Sequence, residues 1–533
     1  MINRIKNLEA IFSVRKASIF IASLTLLSRM VGLVRDRLLA SKFGSAELIA
    51  QLDTYNAAFR VPDLIFNILI LGTLSAALVP VLSGLIKQDK EKAVRVASTI
   101  FNLTFLVMGA ICIIFFFLGG PITHLIAPGF SDAQTAETIG LSRIIILAQL
   151  IFALSNVATN TLVSLKKFII ANLAPAIYNI GIIAGIVIFY PRFGLVGLAY
   201  GVVAGALMHL LIQIPELIRH GFSWKPALSL GDPTVRRIGK LFWPRLFAID
   251  TSYTLPIIAT IIGSTLAAGS ISVFIFANNI QSVPIGIFAL STAIAAFPLL
   301  SEKAGNREFG EYSIELARAV RQILFFIIPL SLLTLLFRAH IVRLLLGSGN
   351  FDWPQTISTF KVLGAFTFSL FSQALIPLFS RAFYALHDTK TPVVFTILSV
   401  IVNATLSLFL ARQYGIVGVT FGFTIASIFQ ASLLFFFLRR RILEHGASHE
   451  LVHEFDKRVS VSVTKILASS IVMGIVSYGA LYLIEPLVNT RTVIGLLVQV
   501  AIAAGLGVIV YFIIARRFGL EEAADISKLI FRR

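Results

Sequence analysis

Arg29, Arg35 and Asp36 are three charged side chains in an otherwise apolar stretch, the run Ser28-Arg29-Met30-Val31-Gly32-Leu33-Val34-Arg35-Asp36. Spacings of three, three and one residues put Arg29, Gly32 and Asp36 near one face of a helix, with Arg35 close beside it. A charge at the centre of a membrane helix costs about 2.5–3.5 kcal/mol on insertion scales, so several together predict a wet, protein-lined cavity and an anion that enters it. Guanidinium groups suit phosphate oxygens, because they offer paired N–H donors where lysine offers a point charge. Gly32 leaves a gap in the polar face for a bulky ligand group or a second backbone. Asp53, Arg60 and Asp63 open the second apolar segment, and Arg245 and Asp250 lie in the seventh. These could pair with the first-segment arginines in one state and release them in another. They read equally well as static ion pairs that fasten helices.

The elements that must position these groups are membrane spans. The 533-residue chain is 57% hydrophobic and 13% charged, with a mean hydropathy of +0.90, outside the range of a water-soluble domain. An all-α polytopic protein of about fourteen spans follows. The apolar segments run approximately over 17–40, 55–86, 94–118, 140–165, 171–190, 195–218, 237–263, 270–300, 314–337, 357–385, 391–411, 416–438, 464–484 and 492–515. No small-residue cleavage site follows the first, so it is expected to stay with the chain. Lys and Arg concentrate in the loops on the side of the N-terminus, which predicts cytoplasmic termini. The net charge of +19 therefore points to anionic lipid head groups and not to nucleic acid. Its basic residues sit in short loops and at helix ends such as Arg439-Arg440-Arg441 and Arg516-Arg517.

A single cysteine, Cys112, cannot form an internal disulfide or a thiolate cluster, and the eight histidines show no paired spacing, so neither a metal centre nor a cofactor is expected. Asn403 and Ser407, one turn apart on the eleventh span, could ligate sodium, although polar contact between helices explains them as well. A phosphate-binding loop, a hydrolase elbow and an H-E-x-x-H helix are all absent. An ATP-driven pump or membrane hydrolase is thereby disfavoured. Transport would draw on the membrane potential, a monovalent cation gradient or the gradient of the substrate itself; voltage supplies about 2.3 kcal/mol per charge per 100 mV.

The chain is also similar to itself at an offset of about 220 residues. Phe193-Gly194-Leu195-Val196-Gly197 returns as Tyr414-Gly415-Ile416-Val417-Gly418, Val61-Pro62 as Val283-Pro284, and Gly129-Phe130 as Asn350-Phe351. Six spans per copy predict two lobes, 1–220 and 221–445, related by a pseudo-two-fold along the membrane normal and facing a central cavity. Residues 446–533 would add a polar linker and two further spans. Thr391-Pro392 predicts a helix start, with Thr as cap and Pro in the first turn.

Taken with Phe43-Gly44, Asp53, Phe59-Arg60-Val61-Pro62, Ala127-Pro128-Gly129-Phe130 and the segment from Phe383-Tyr384-Ala385 to Asp388-Thr389-Lys390-Thr391-Pro392, the first motif resembles the MurJ (MviN) family of lipid II flippases. That family lies within the superfamily of multidrug and oligosaccharide-lipid exporters. The resemblance covers essentially the whole chain and implies a non-enzymatic transporter of the bacterial inner membrane. Its implied cargo is an undecaprenyl-diphosphate-linked peptidoglycan precursor, carried to the outer leaflet by alternating access. The resemblance further implies a groove for the polyprenyl tail in the last two spans, functional importance for Arg29, Arg35, Asp36 and Asp53, and other wall-synthesis membrane proteins as partners. The chain departs from the family pattern where Ala277-Asn278-Asn279 replaces Ala-Asp-Arg in the eighth span. Arg245 is the candidate substitute for the missing cavity arginine. The alternatives are an exporter of another lipid-linked oligosaccharide, a drug or cation antiporter, and a scaffold for wall-synthesis partners.

Overall fold

In hydrocarbon every backbone N–H and C=O must find its partner within the chain, and a helix achieves this span by span. The computed structural model describes residues 14–71, 73–226, 228–242, 251–446, 448–490 and 492–524; among them there is no strand. Contacts group the chain into two compact units, Met1–Gly269 and Ser270–Arg533.

The first unit contains α1 (Val14–Phe43), α2 (Ile49–Ala58), α3 (Arg60–Phe66), α4 (Thr73–Gln88), α5 (Lys90–Ile126), α6 (Asp132–Ser164), α7 (Phe168–Ala184), α8 (Tyr190–Phe193), α9 (Leu195–Leu211), α10 (Ile214–Arg219), α11 (Pro233–Phe242) and α12 (Thr251–Gly263). α6 lies at its centre, packed on α2, α3, α4, α5 and α9. Small residues make this possible: Ala148, Ala153, Ser155 and Ala158 are buried along α6 and let neighbouring backbones come close. Its start is fixed by a capping box, in which Ser131 Oγ accepts the Gln134 N–H and Gln134 Oε1 accepts the Ser131 N–H. α7 and the π-helical stretch Gly185–Phe189 that continues it approach α9 closely enough that a Cβ on Gly181 would collide with the Gly205 backbone, and one on Gly185 with Gly201. α12, from the seventh apolar segment, packs on α3 and α5 and so belongs to this unit by contact.

The second unit contains α13 (Ser270–Pro284), α14 (Leu290–Gly305), α15 (Phe309–Leu346), α16 (Trp353–Thr367), α17 (Leu370–Ala385), α18 (Lys390–Glu444), α19 (His449–Ile484) and α20 (Val493–Arg517). α15 is the central element here, packing on α14, α16, α17, α19 and α20. α19 and α20 pair with each other and against α15, where Tyr511 Oη donates to the Phe325 carbonyl at 2.7 Å.

Among the described residues nine helices are long and apolar enough to cross a membrane, or ten with α16 and α17, bent by 48°, taken as one span. α18 carries the expected eleventh and twelfth spans as one 55-residue element broken at Gly415. The expected second span is divided into α2, α3, a π-helical stretch Asn67–Leu71 and α4. At the start of α18 the cap is Asp388, not Thr391. Asp388 Oδ1 accepts the N–H groups of Lys390 and Thr391, and Oδ2 accepts the Thr391 hydroxyl. A carboxylate two residues before the helix, preceding the N-cap position Thr389, reaches two orphan N–H groups together, which a threonine already inside the helix cannot do.

Candidate functional site

The polar half of α1 meets α7. Arg35 donates through Nε (3.0 Å) and Nη2 (2.7 Å) to Oδ1 of the buried Asp36, and through Nη1 to Asn179 Oδ1 at 2.9 Å. Asn179 is held in turn by its Nδ2 donating to the Pro175 carbonyl one turn back. Gly32 faces the same amide: a Cβ built there would lie 3.8 Å from Asn179 Nδ2. The gap expected at Gly32 is thus filled by the side chain that orients Arg35.

α2, α3 and α6 supply the rest. Tyr55 of α2 is buried, with its ring edge-on to Phe59 at 5.0 Å. Tyr178, beside Asn179, packs on Phe152 at 4.6 Å. Asp63 Oδ1 accepts from Gln149 Nε2 at 2.7 Å. Arg35, Asp36, Tyr55, Asp63 and Tyr178 lie within electrostatic range of one another, and Arg60 within range of Asp63. Two arginines, Arg35 and Arg60, and two carboxylates, Asp36 and Asp63, drawn from α1 and α3, are therefore linked in one region of the first unit.

Their partners are unequally distributed. Arg35 is fully occupied. Arg60 has a buried Nε without a hydrogen bond, and the half-buried Arg29 forms no hydrogen bond or ion pair with any described residue. A guanidinium out of water and without a partner is costly. Arg29 lies six residues before Arg35 on α1, and Arg60 has only Asp63 in electrostatic range, so both keep N–H groups that an anion can take.

Asp53 also serves the backbone. It is buried, and its Oδ2 accepts the backbone N–H of Gly269 at 2.6 Å, so it ties the end of the first unit's chain to α2. Arg245 and Asp250 lie outside the described residues. Asn403 and Ser407 are brought together: Ser407 Oγ donates to Asn403 Oδ1 (2.9 Å) and to the Val419 carbonyl (3.2 Å), fastening the two halves of α18.

The second unit holds a polar cluster of another kind, at the break between α16 and α17. Gln281 and Gln373 exchange amide hydrogen bonds at 3.1 and 3.0 Å. Gln281 Nε2 also donates to Asn278 Oδ1, and Gln373 Nε2 to Ser369 Oγ. Thr424 Oγ1 donates to the Ala365 carbonyl and to Ser369 Oγ. No charged side chain enters these bonds. The sequence reading named none of Tyr55, Gln149, Tyr178, Asn179, Gln281 and Gln373; the available signal was Tyr178-Asn179, a polar pair inside the apolar run 171–190.

The family profile described as lipid II flippase MurJ matches residues 39–517. The chain belongs to the MurJ family. It is 29% identical over 545 residues to the probable lipid II flippase MurJ of Rhizobium tropici, covering 98% of this chain and 97% of that one. With the probable lipid II flippase MurJ of Borreliella burgdorferi it shares 27% identity over 438 residues, 82% of this chain and 85% of the relative. A solved structure titled lipid II flippase MurJ, inward closed conformation, superposes with a TM-score of 0.74 at 26% identity, covering 94% of this chain and 98% of that chain. Asp53 and Arg60 fall inside the stretch that the MurJ profile matches, whereas Arg29, Gly32, Arg35 and Asp36 precede it. Family and spans together make this a multi-pass protein of the bacterial inner membrane and a transporter by family.

Proposed function

We propose that this chain carries lipid II, a lipid-linked cell-wall precursor, from the cytoplasmic to the outer leaflet, with the first-unit arginines receiving its diphosphate. The observation that carries the reading is a pair of guanidiniums in the first unit without a hydrogen bond to a described residue, Arg29 and Arg60, in contrast to the satisfied Arg35–Asp36 pair. A diphosphate cannot cross about 30 Å of hydrocarbon unaided. Arginine N–H groups in a wet, protein-lined site replace part of its hydration shell. In the empty state Asp36 and Asn179 hold Arg35 in place; arriving phosphate oxygens compete with Asp36 for it, and the exchange of one anion for another links cargo binding to movement of α1. Asp53, through Gly269, sets the position of α2 and acts as a positioning residue in this scheme.

Alternating access to the two sides of the membrane completes the cycle, driven by the membrane potential or a monovalent cation. Membership of the MurJ family favours lipid-linked cargo over a drug or free cation. A leaflet-accessibility assay tests the reading: proteoliposomes loaded with radiolabelled lipid II are probed from outside, with and without an imposed voltage. Translocation by the unsubstituted chain and its loss in Arg29→Ala are expected. Undiminished translocation in Arg29→Ala would overturn the clamp, and no translocation by the unsubstituted chain under any gradient would overturn the flippase reading.

A further inference from the structure

The connection between the sixth and seventh apolar segments is bound to α5 along its length. Gly221, with φ of +71°, turns the chain. Trp224 Nε1 then donates to Asn102 Oδ1 at 2.7 Å, Asn102 Nδ2 to the Lys225 carbonyl at 3.0 Å, the Lys225 N–H to Ser98 Oγ at 3.2 Å and the Ser229 N–H to Thr99 Oγ1 at 3.3 Å. These bonds fix the backbone of the strap; Phe222 is buried against α4 and α5, and the large apolar side chains that follow it face out. Trp224, Leu228 and Leu230 are 61%, 52% and 54% exposed.

α11 follows directly and is strongly amphipathic. An amphipathic helix at a membrane surface ordinarily lays its apolar face into the lipid. α11 cannot do so, because Val235 and Ile238 are buried in the protein, in the cluster built by α4 and α5. The face left outward carries Arg236, Arg237 and Lys240, all exposed. The one acid of the connection, Asp232, is already engaged by the Thr234 N–H at 2.7 Å and by Lys92 at 3.9 Å. An apolar wedge and a cationic plate thus adjoin each other on consecutive segments, each lacking what the other has.

We propose that Trp224, Leu228, Leu230, Arg236, Arg237 and Lys240 form a binding site for anionic phospholipid head groups. Trp224, Leu228 and Leu230 enter the boundary between acyl chains and head groups, where tryptophan is favoured. Arg236, Arg237 and Lys240 attract the lipid phosphates. Bilayer phospholipid is the occupant, and not the cargo diphosphate, because these cations are exposed and spread along a helix. That arrangement suits diffuse attraction to a charged surface, whereas a diphosphate selects guanidiniums converging in a desolvated site.

The test uses the full-length chain carrying Trp243→Phe and Trp353→Phe, which leaves Trp224 as its only tryptophan. It is placed in nanodiscs of phosphatidylcholine and phosphatidylglycerol with one lipid at a time brominated. Bromo-phosphatidylglycerol is expected to quench Trp224 severalfold more than bromo-phosphatidylcholine at equal mole fraction. Adding Arg236→Gln, Arg237→Gln and Lys240→Gln should equalise the two lipids while quenching persists, which also shows that the strap is still in place. Leu228→Ser with Leu230→Ser should weaken quenching by both. Absence of quenching, equal quenching in the parent, or an unchanged preference in the triple variant would overturn the proposal. So would relief of bromo-phosphatidylglycerol quenching by equimolar undecaprenyl diphosphate, which would assign the surface to the cargo.

Discussion

In the first unit Gly194 turns the chain between α8 and α9 at φ 59° and ψ −145°; in the second, Gly415 turns it within α18 at φ 57° and ψ −139°. Lys166, before α7, has φ 61°, and His387, before α18, has φ 59°. A Cβ on Gly197 would strike the Phe189 carbonyl, and one on Gly418 the Leu410 carbonyl. Each Val-Pro pair is followed by a π-helical stretch, Asn67–Leu71 in one unit and Ile285–Ala289 in the other. The polar chemistry does not repeat in this way. The first unit has arginines and carboxylates around Asn179, and the second has amides and hydroxyls around Gln373. Steric devices such as these constrain both copies alike, because few other residues fit the backbone. A buried charge is costly wherever it sits and is retained where something uses it. The difference is what the proposed function builds on, with the anion received by the first unit.

The comparison breaks most readily at the charges. Arg29→Ala and Arg60→Ala should each lower lipid II translocation by about tenfold or more, the loss of a charge-assisted contact worth roughly 1.5–3 kcal/mol. Gln281→Leu combined with Gln373→Leu should change it far less, as read by the same leaflet assay. Equal losses in both units would mean that the neutral cluster also handles the anion.

The steric half of the comparison predicts matched effects. Gly194→Ala and Gly415→Ala each force a Cβ into a backbone region that is nearly exclusive to glycine, at a cost of about 1–3 kcal/mol. Thermal unfolding in detergent should show similar destabilisation for the two variants, and a large effect in only one would separate the copies. Within the neutral cluster, Gln281→Leu or Gln373→Leu alone strands a buried amide and should cost about 1–3 kcal/mol, whereas the double variant should cost less than the sum.

The smallest effect concerns a cap that one copy has and the other lacks. Lys167 precedes α7 without a side-chain cap, while Asp388 caps α18. Burial pushes the pKa of Asp388 up, but the Thr391 backbone and hydroxyl bonds, Arg441 and the Lys390 backbone bond outweigh it and hold the carboxyl below the usual range. A depressed folded value contributes stability above the unfolded value and loses it as pH falls through the folded one. Asp388→Ala should thus cost about 1 kcal/mol at neutral pH, with the gap to the parent closing below about pH 4. A gap that does not vary with pH would remove the carboxylate from the account.

Sequence alone made the helices, the duplication and the charged patch legible, because bilayer-length apolar runs and the repeated Gly-x-x-Gly turns each have few structural solutions. It could not show which polar residues meet. Gln281 and Gln373 stand 92 positions apart and Arg35 and Asn179 144 apart, and a polar side chain in an apolar span looks the same whether its partner is a helix or a ligand. Asp53 illustrates the converse. Its charge suggests an ion pair with the first-segment arginines, and its carboxylate also receives a backbone N–H from Gly269, 216 residues away. Backbone groups carry no sequence signature by which such a bond could be anticipated.

Binding of undecaprenyl diphosphate to the full-length chain, followed by native mass spectrometry, tests the assignment of the diphosphate most directly. Three proteins suffice: the parent, Arg29→Gln with Arg60→Gln, and Gln281→Leu with Gln373→Leu. The account predicts that the arginine variant loses the bound diphosphate lipid and that the glutamine variant keeps it. Equal occupancy in all three, or loss only in the glutamine variant, would contradict it.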